Sequence, residues 1–372
     1  MGGNNEAGPL ARICIPGMLV FGTSTVVIQK IIFSLQAVGR YGDKHAFKKP
    51  WFQTEAMFVG MMLCLVVFEV KRCLERHEEA NMQESLIEKP GEKGTSHWKK
   101  YIYVLAPAMC DLIATCLMNI GLLWIPASVW QMLRGSMVIF SAILSILFLK
   151  RKLYGFNWLG IGFVTLGLVV VAVSCLKAKT TASTSTTSEE LIGILLVVAA
   201  QVVQASQIVI EEFLLKNIKA DPFLIVGLEG FWGTIVCSIL LVPIGHIPDT
   251  TQIGKTFHED TIDTFDMIGN SNAILFTAIL YVFAILGYNL FGMLVTQSFT
   301  AVHRTILEAV RTMCIWVTNL FIYYAITEKH GEKLVAWSAV ELLGFVFLLI
   351  GLFIYNKVIK VSFLGCKYPE DK

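Results

Sequence analysis

Ten stretches of roughly twenty mostly apolar residues follow one another along the chain, at about 13–36, 51–70, 101–123, 129–149, 155–175, 191–213, 223–243, 273–296, 305–327 and 335–355. About twenty such residues let an α-helix cross the roughly 30 Å hydrocarbon layer of a bilayer. The runs are continuous rather than alternating, so barrel strands do not explain them, and in lipid a helix satisfies every backbone group within its own segment. The expected fold is all-α, a polytopic membrane protein of about ten transmembrane helices. Composition agrees. Hydrophobic residues make up 55% and charged residues 16% of the 372 positions, with a mean hydropathy of +0.65, too apolar for a soluble domain. No small-residue cleavage signature follows the first run, which is read as a retained helix.

Lysines and arginines set the expected orientation. One set of loops carries eighteen, including seven in 71–100, Lys150, Arg151 and Lys152; the other set carries nine. The richer side is cytoplasmic by the positive-inside rule, and both termini fall on it. Arg40, Lys44, Lys48 and Lys49, in the first lumenal loop, run against the rule. Residues 71–100 read as a charged, disordered cytoplasmic loop. Residues 178–190 read as a polar linker and 357–372 as a cytoplasmic tail. The longest lumenal loop, 245–272, carries Asp249, Glu259, Asp260, Asp263 and Asp266 against Lys255. Within it Ile262, Phe265 and Ile268 would form one face of a short helix lying on the membrane surface.

Two halves of the chain resemble each other. Leu-Gly, six residues, Gly-Leu occurs in the fifth run, with Gly160 and Gly167, and again in the tenth, with Gly344 and Gly351. Small residues at this spacing permit close helix packing. QMLRGSMVI (131–139) resembles EAVRTMCIW (308–316), aligning Arg134 with Arg311, and Glu55 and Glu229 lie a similar distance apart. The reading is two five-helix repeats, 1–177 and 191–356. Five is odd, so the second is inverted, the architecture of alternating-access transporters with a substrate site near the midplane.

Charges inside apolar runs are the candidate site residues, since each costs at least ~2.5–3.5 kcal/mol at the bilayer centre. Asp111, about ten residues into the third run, reads either as a site for a cation or proton or as the ion-pair partner of Lys30 or Arg134. Lys30 either lines a cavity or snorkels to the lumenal interface. Arg134, with Gln131 one turn before it, and Arg311, with Glu308 three residues before it, read as gates near opposite mouths of a cavity or as fixed ion pairs. Glu229 begins the seventh run beside Gly230 and Gly233. Gln201, Gln204 and Gln207 share one side of the sixth run; Gln204, Gln207 and Asn289 either face the cavity or bond between helices. Glu211 and Glu212 read as interfacial. Glu341 has no evident partner.

Other chemistries find no motif. His77-Glu78-Glu79 and His258-Glu259 lack the second histidine of a zinc protease pattern, and no Gly-rich phosphate loop ends in Lys-Ser/Thr. Nine dispersed cysteines show no metal spacing. No enzyme, cofactor or metal is therefore expected. A net charge of +2 without a basic stripe excludes nucleic acid. The expected partners are a small-molecule substrate and the lipid bilayer, with a second copy or another membrane protein left open.

The stretches APAMCDLIATCLMNIGL (106–122), ASVWQMLRGSMVIFSAILSILFLKRKL (127–153), AAQVVQASQIVIEEF (199–213), VGLEGFWG (226–233), YNLFGMLVTQ (288–297) and GLFIYN (351–356) resemble the drug/metabolite transporter superfamily. More closely, they are similar to the F branch of the solute carrier 35 family, nucleotide-sugar-transporter-like and related to the chloroquine-resistance-transporter group. The resemblance implies a ten-helix solute transporter of an endomembrane, the lysosome or vacuole before the Golgi or mitochondrion, and a cavity position for Lys30. Two departures stand out. Gly60-Met61 occupies a place where related sequences often carry an acid, and 245–272 has no cysteine, unlike the chloroquine-transporter group.

These readings combine into one expectation. Helices 1–4 and 6–9 enclose a cavity, and helices 5 and 10 pack outside it through their glycines. Transport is secondary, by alternating access. Glu55, Asp111, Glu229 and Glu308 nearly balance Lys30, Arg134 and Arg311, which points to an organic cation, amino acid or small peptide before a phosphorylated metabolite. Asp111 is the first candidate proton site and Glu229 the second. A non-transporting membrane scaffold is the reading of another class.

Overall fold

The computed structural model describes residues 7–83, 104–149, 154–177, 187–218, 221–247, 257–298, 301–326, 334 and 337–359. Its helices are α1 (Ala7–Ser34), α2 (Pro50–Gln83), α3 (Leu105–Leu122), α4 (Ala127–Leu133), α5 (Met137–Leu149), α6 (Gly155–Lys177), α7 (Thr187–Ile218), α8 (Pro222–Ile244), α9 (Thr261–Gly269), α10 (Asn272–Ser298), α11 (Ala301–Phe321) and α12 (Ser338–Tyr355). Seven of them contain stretches long and apolar enough to cross a membrane, and Val129–Leu144 and Val310–Ile326 are shorter apolar stretches. The protein is a polytopic, all-α membrane protein.

Its burial is that of a bundle dissolved in lipid. Val169, Leu195, Ile239 and Phe283 are exposed on the outside, whereas Gln29, Gln53, Thr54, Asp111, Asn119, Gln131, Gln201, Glu229 and Arg311 are buried inside. The most extensive pairings join α6 to α12, α2 to α8, α1 to α10 and α3 to α7. Glycines set several of these seams. A Cβ on Gly167 would stand 2.6 Å from the carbonyl oxygen of Gly344, and one on Gly351 would stand 2.7 Å from that of Gly160. Gly121 and Gly193 meet in the same reciprocal way between α3 and α7. Gly227, Gly230 and Gly233 of α8 receive Leu65, the Met61–Met62 backbone and Phe58 of α2.

Four local features depart from the sequence reading. The helix expected to end at 70 continues to Gln83, so the first part of the segment read as disordered is helical. Glu, Lys, Arg, Met and Gln favour helix there, no Gly or Pro interrupts them, and Arg72 lies 3.5 Å from Glu69 one turn away. Residues 84–100 lie outside the described residues. The fourth span is broken: Arg134–Ser136 form a 3₁₀ turn between α4 and α5, a geometry that often marks a hinge. The tail of α11 passes into a π-helical turn, Ile322–Ile326.

The fourth departure lies in the loop after α1. It holds an antiparallel hairpin, β1 (Gln36–Val38) and β2 (Lys44–Ala46), pairing Gln36 with Ala46 and Val38 with Lys44. Gly42 turns it at φ 82°, a conformation side chains disfavour. The hairpin packs on α9. Of the expected surface face of α9, Ile262 and Phe265 are exposed, while Asp263, Thr264 and Met267 turn inward. Of the remaining loop expectations, 178–186, 248–256 and 360–372 lie outside the described residues; 187–190 already belong to α7.

Candidate functional site: a guanidinium pair inside the bundle

Arg311 is the eleventh of the 21 residues of α11 and only 2% exposed. A guanidinium held there must be paired and its ring face used. Nη2 lies 2.8 Å from Glu308 Oε2, an ion pair without the linear geometry of a hydrogen bond. Its Cζ stands 4.8 Å above the Tyr288 ring of α10. The Tyr288 hydroxyl donates to Glu308 Oε1 at 2.6 Å, closing a triangle. Gly22 of α1 makes room: a Cβ there would lie 2.6 Å from Arg311 Cδ and 2.9 Å from the Tyr288 ring.

Arg134 ends α4 where the 3₁₀ turn begins. Its Cζ lies 5.2 Å from the Trp130 ring centre, and Nη1 donates to Gln131 Oε1 at a long 3.4 Å. Trp130 is fixed by its indole N–H, which donates to Met118 O at 2.9 Å. Arg134 is partly buried. Arg311, Tyr288, Glu308 and Asp111 all fall within its electrostatic range. The two arginines, read from sequence as gates at opposite mouths, sit on elements that pack together, α4 and α11, within electrostatic range of each other. The reason is positional: α11 starts at Ala301, so Arg311 is mid-helix.

The other candidates divide between this cluster and the seams. Asp111, 6% exposed, is the seventh residue of α3, roughly 10 Å from its start at 1.5 Å per residue; its Oδ1 accepts from Thr115 Oγ1 at 3.2 Å. Lys30 Nζ donates to Leu122 O at 2.8 Å and Ile125 O at 2.9 Å, so it caps the last turn of α3, where carbonyls lack helical partners. Gln204 is half-buried and Gln207 buried, each with an Oε1 that accepts no hydrogen bond. Gln201 Nε2 reaches Met118 Sδ at 3.2 Å. Glu229, 4% exposed, is buried in α8. Asn289 donates to Ile285 O of its own helix at 3.0 Å. Glu55 accepts from Ser238 Oγ at 2.9 Å, across to α8. Glu211 and Glu212 carry no described side-chain geometry.

Sequence reasoning missed Tyr288 and Trp130. Trp130 was readable, four residues before Arg134 and so on the same helix face; Tyr288 gave no signal. It also missed the buried amide chain in which Gln29 donates to Asn119, and Asn119 Nδ2 to Thr54 Oγ1 at 2.8 Å. A separate groove of about 580 Å³ lies along α2, lined by Leu65, Val66, Glu69, Val70, Cys73 and Leu74. All six come from one helix, and none of them belongs to the cluster.

Comparison with known proteins fixes the family. The model of the nucleotide-sugar transporter family matches residues 18–252. Solute carrier family 35 member F6 of Homo sapiens is 34% identical over 342 residues, 91% of this chain and 86% of its own. The Rattus norvegicus protein of that name is 33% identical over the same shares. The chain belongs to the solute carrier 35 family. It is a nucleotide-sugar-transporter-like membrane protein of the F branch, and a solute transporter by that kinship. An uncharacterized protein of Schizosaccharomyces pombe is 29% identical over 81% of this chain and 88% of its own. A crystal structure of a protein at 9% identity superposes with a TM-score of 0.50 over 92% of this chain and 96% of that one, a likeness of fold alone.

Proposed function

We propose that this solute carrier is a secondary-active transporter of a small polar organic solute, working by alternating access around the Arg134–Arg311 cluster. The observation that carries the reading is Arg134. It is a partly buried guanidinium over the Trp130 ring, with only the Gln131 amide as a hydrogen-bonding partner among the described residues. A planar fork of donors in that setting suits a carboxylate or phosphate. The orphan Oε1 atoms of Gln204 and Gln207, and the Ser136 hydroxyl, add uncharged polar groups in the interior. This shifts the balance from an organic cation toward a solute bearing an anionic group, an amino acid or small peptide among them.

Ten spans follow if α2, the broken α4–α5 segment and α11 with its π turn each cross. An inverted repeat is supported by the packing. Exchange the first five spans for the last five, and α1–α10 maps onto α3–α7, α1–α11 onto α5–α7, and α2–α10 onto α3–α8, while α2–α8 and α6–α12 map onto themselves. Lysine and arginine in the loops favour cytoplasmic termini, which places the hairpin end in the lumen of an endomembrane, the lysosome or vacuole first. The second reading, a nucleotide-sugar or other phosphorylated-metabolite antiporter, is favoured by the family match.

Counterflow in proteoliposomes distinguishes these. A panel of labelled amino acids, small peptides, organic cations and nucleotide sugars is expected to give saturable exchange for one anion-bearing class. ATP-dependent uptake by the purified chain alone, or exchange of cations only, would sink the reading.

A further inference from the structure

We infer that Glu259, in the cap formed by the hairpin and α9, is a proton-binding site that latches the lumenal end of α2 when the lumen is acidic. The inference uses the lumenal placement proposed above but not transport itself. Glu259 precedes α9 and is 2% exposed. Its two oxygens accept from the first backbone N–H groups of α2: Oε2 from Trp51 N at 2.8 Å and Oε1 from Phe52 N at 2.9 Å. The Trp51 indole N–H donates to Phe257 O at 3.0 Å, so the segment grips α2 at two points. These bonds cross from the loop after α8 to the start of α2. One turn beyond them α2 carries Gln53, Thr54 and Glu55 into the bundle.

Among the described residues, the surrounding charges leave this carboxyl without a dedicated counter-ion. Lys49, just before α2, is the cation in its range, but its Nζ lies 2.6 Å from Asp263 of α9. From the hairpin, His45 Nε2 also faces Asp263, at 3.1 Å, and Arg40 faces Asp260, at 3.7 Å. Glu55 of α2 turns to Ser238. The thiols of Cys116 in α3 and Cys237 in α8 lie within range. The adjoining His258 presents a buried Nδ1 with no hydrogen-bond partner. Burial pushes the Glu259 carboxyl from 4.5 up to about 7, against the lowering pull of the Trp51 and Phe52 N–H groups and Lys49.

The sign follows. A carboxyl with a higher pKa when docked than when hydrated binds its proton more tightly in the docked state, so acid favours docking and neutral pH opposes it. Asp263 behaves differently. Burial alone would raise it, but Lys49, the Arg40 N–H and His45 hold it below the ordinary carboxylate range. Its link to Lys49 therefore persists through mildly acidic pH, and Glu259 is the carboxyl of the cap that changes state there.

The test is hydrogen exchange at the Trp51 and Phe52 amides of the full chain in nanodiscs, corrected for intrinsic rates. Protection is expected to rise on the order of a hundredfold from about pH 7.5 to about pH 5. Glu259→Gln, neutral at both pH values and with one accepting oxygen in place of two, is expected to show protection that does not change between them. Unchanged or falling protection in the wild type on acidification overturns the proposal, as does a Glu259→Gln protein that keeps the wild-type pH dependence. Should that variant not fold, the wild-type infrared spectrum decides: a buried protonated carboxyl band at about pH 5 that fades by about pH 7.5 supports the site, and its absence overturns it. None of these readouts involves a solute, so failure of the transport reading leaves them unaffected.

Discussion

The α6–α12 seam and the Arg134–Arg311 cluster lie within one bundle and solve opposite problems. The seam is built on small residues. Gly160, Gly167, Gly344 and Gly351 bring two backbones into contact, and Asn157 and Ser174 tie the ends by donating to Tyr355 O at 3.2 Å and Trp337 O at 2.8 Å. The cluster holds two guanidiniums and the Glu308 carboxylate, with Asp111 in electrostatic range, where lipid would penalise each of them. In lipid, where burial gives no hydrophobic gain, packing holds helices together. Polar groups retained without full satisfaction then mark where water or a solute enters.

The largest effect separates the two regions by fold alone. Gly167→Leu would drive a side chain into the Gly344 carbonyl, at or above the ~1–3 kcal/mol of core overpacking. Loss of monodisperse protein in detergent, or a melting temperature several degrees lower, is expected. An unchanged melting curve would mean the seam is looser than described.

Next comes Arg134→Ala. It breaks no ion pair among the described residues, so the fold should stand. A solute anion bound to the guanidinium would lose ~1.5–3 kcal/mol, a fall of about ten- to a hundredfold in exchange. If Arg134→Ala melts early instead, the cluster is structural.

Asp111→Asn sharpens the cluster further. It is expected to fold and reach its membrane but to lose the pH dependence of transport. Normal pH dependence would pass the role to Glu229 or the cap, and misfolding would make Asp111 a structural partner. The smallest effect is the control, Gly162→Leu, on the same helix as Gly167 but with nothing within 4 Å of its would-be Cβ. Its change in stability should stay within about 0.5 kcal/mol.

How legible each region was follows from its physics. The membrane spans were readable because a bilayer demands long apolar runs, and the glycine spacing because close packing demands small residues at fixed intervals. The charges were readable as exceptions, but their grouping was not. Arg134 and Arg311 come into range of each other because α4 packs on α11, a contact between elements far apart in the sequence. Lys30 could not be assigned from sequence because its partners are carbonyls, which any residue supplies. Glu259 read only as one of the acids of its loop for the same reason: it binds the backbone of Trp51 and Phe52, and only the folded chain places that helix start beside it.

The most direct test of the central claim is one of access. With reactive native cysteines replaced, Gln204→Cys is treated in sealed vesicles with a membrane-impermeant thiol reagent added to one side or the other. Alternating access around the cluster predicts labelling from both sides, with Val164→Cys in the α6–α12 seam unlabelled from either. A Gln204→Cys protein that resists the reagent from both sides would contradict the account and leave a membrane scaffold in its place.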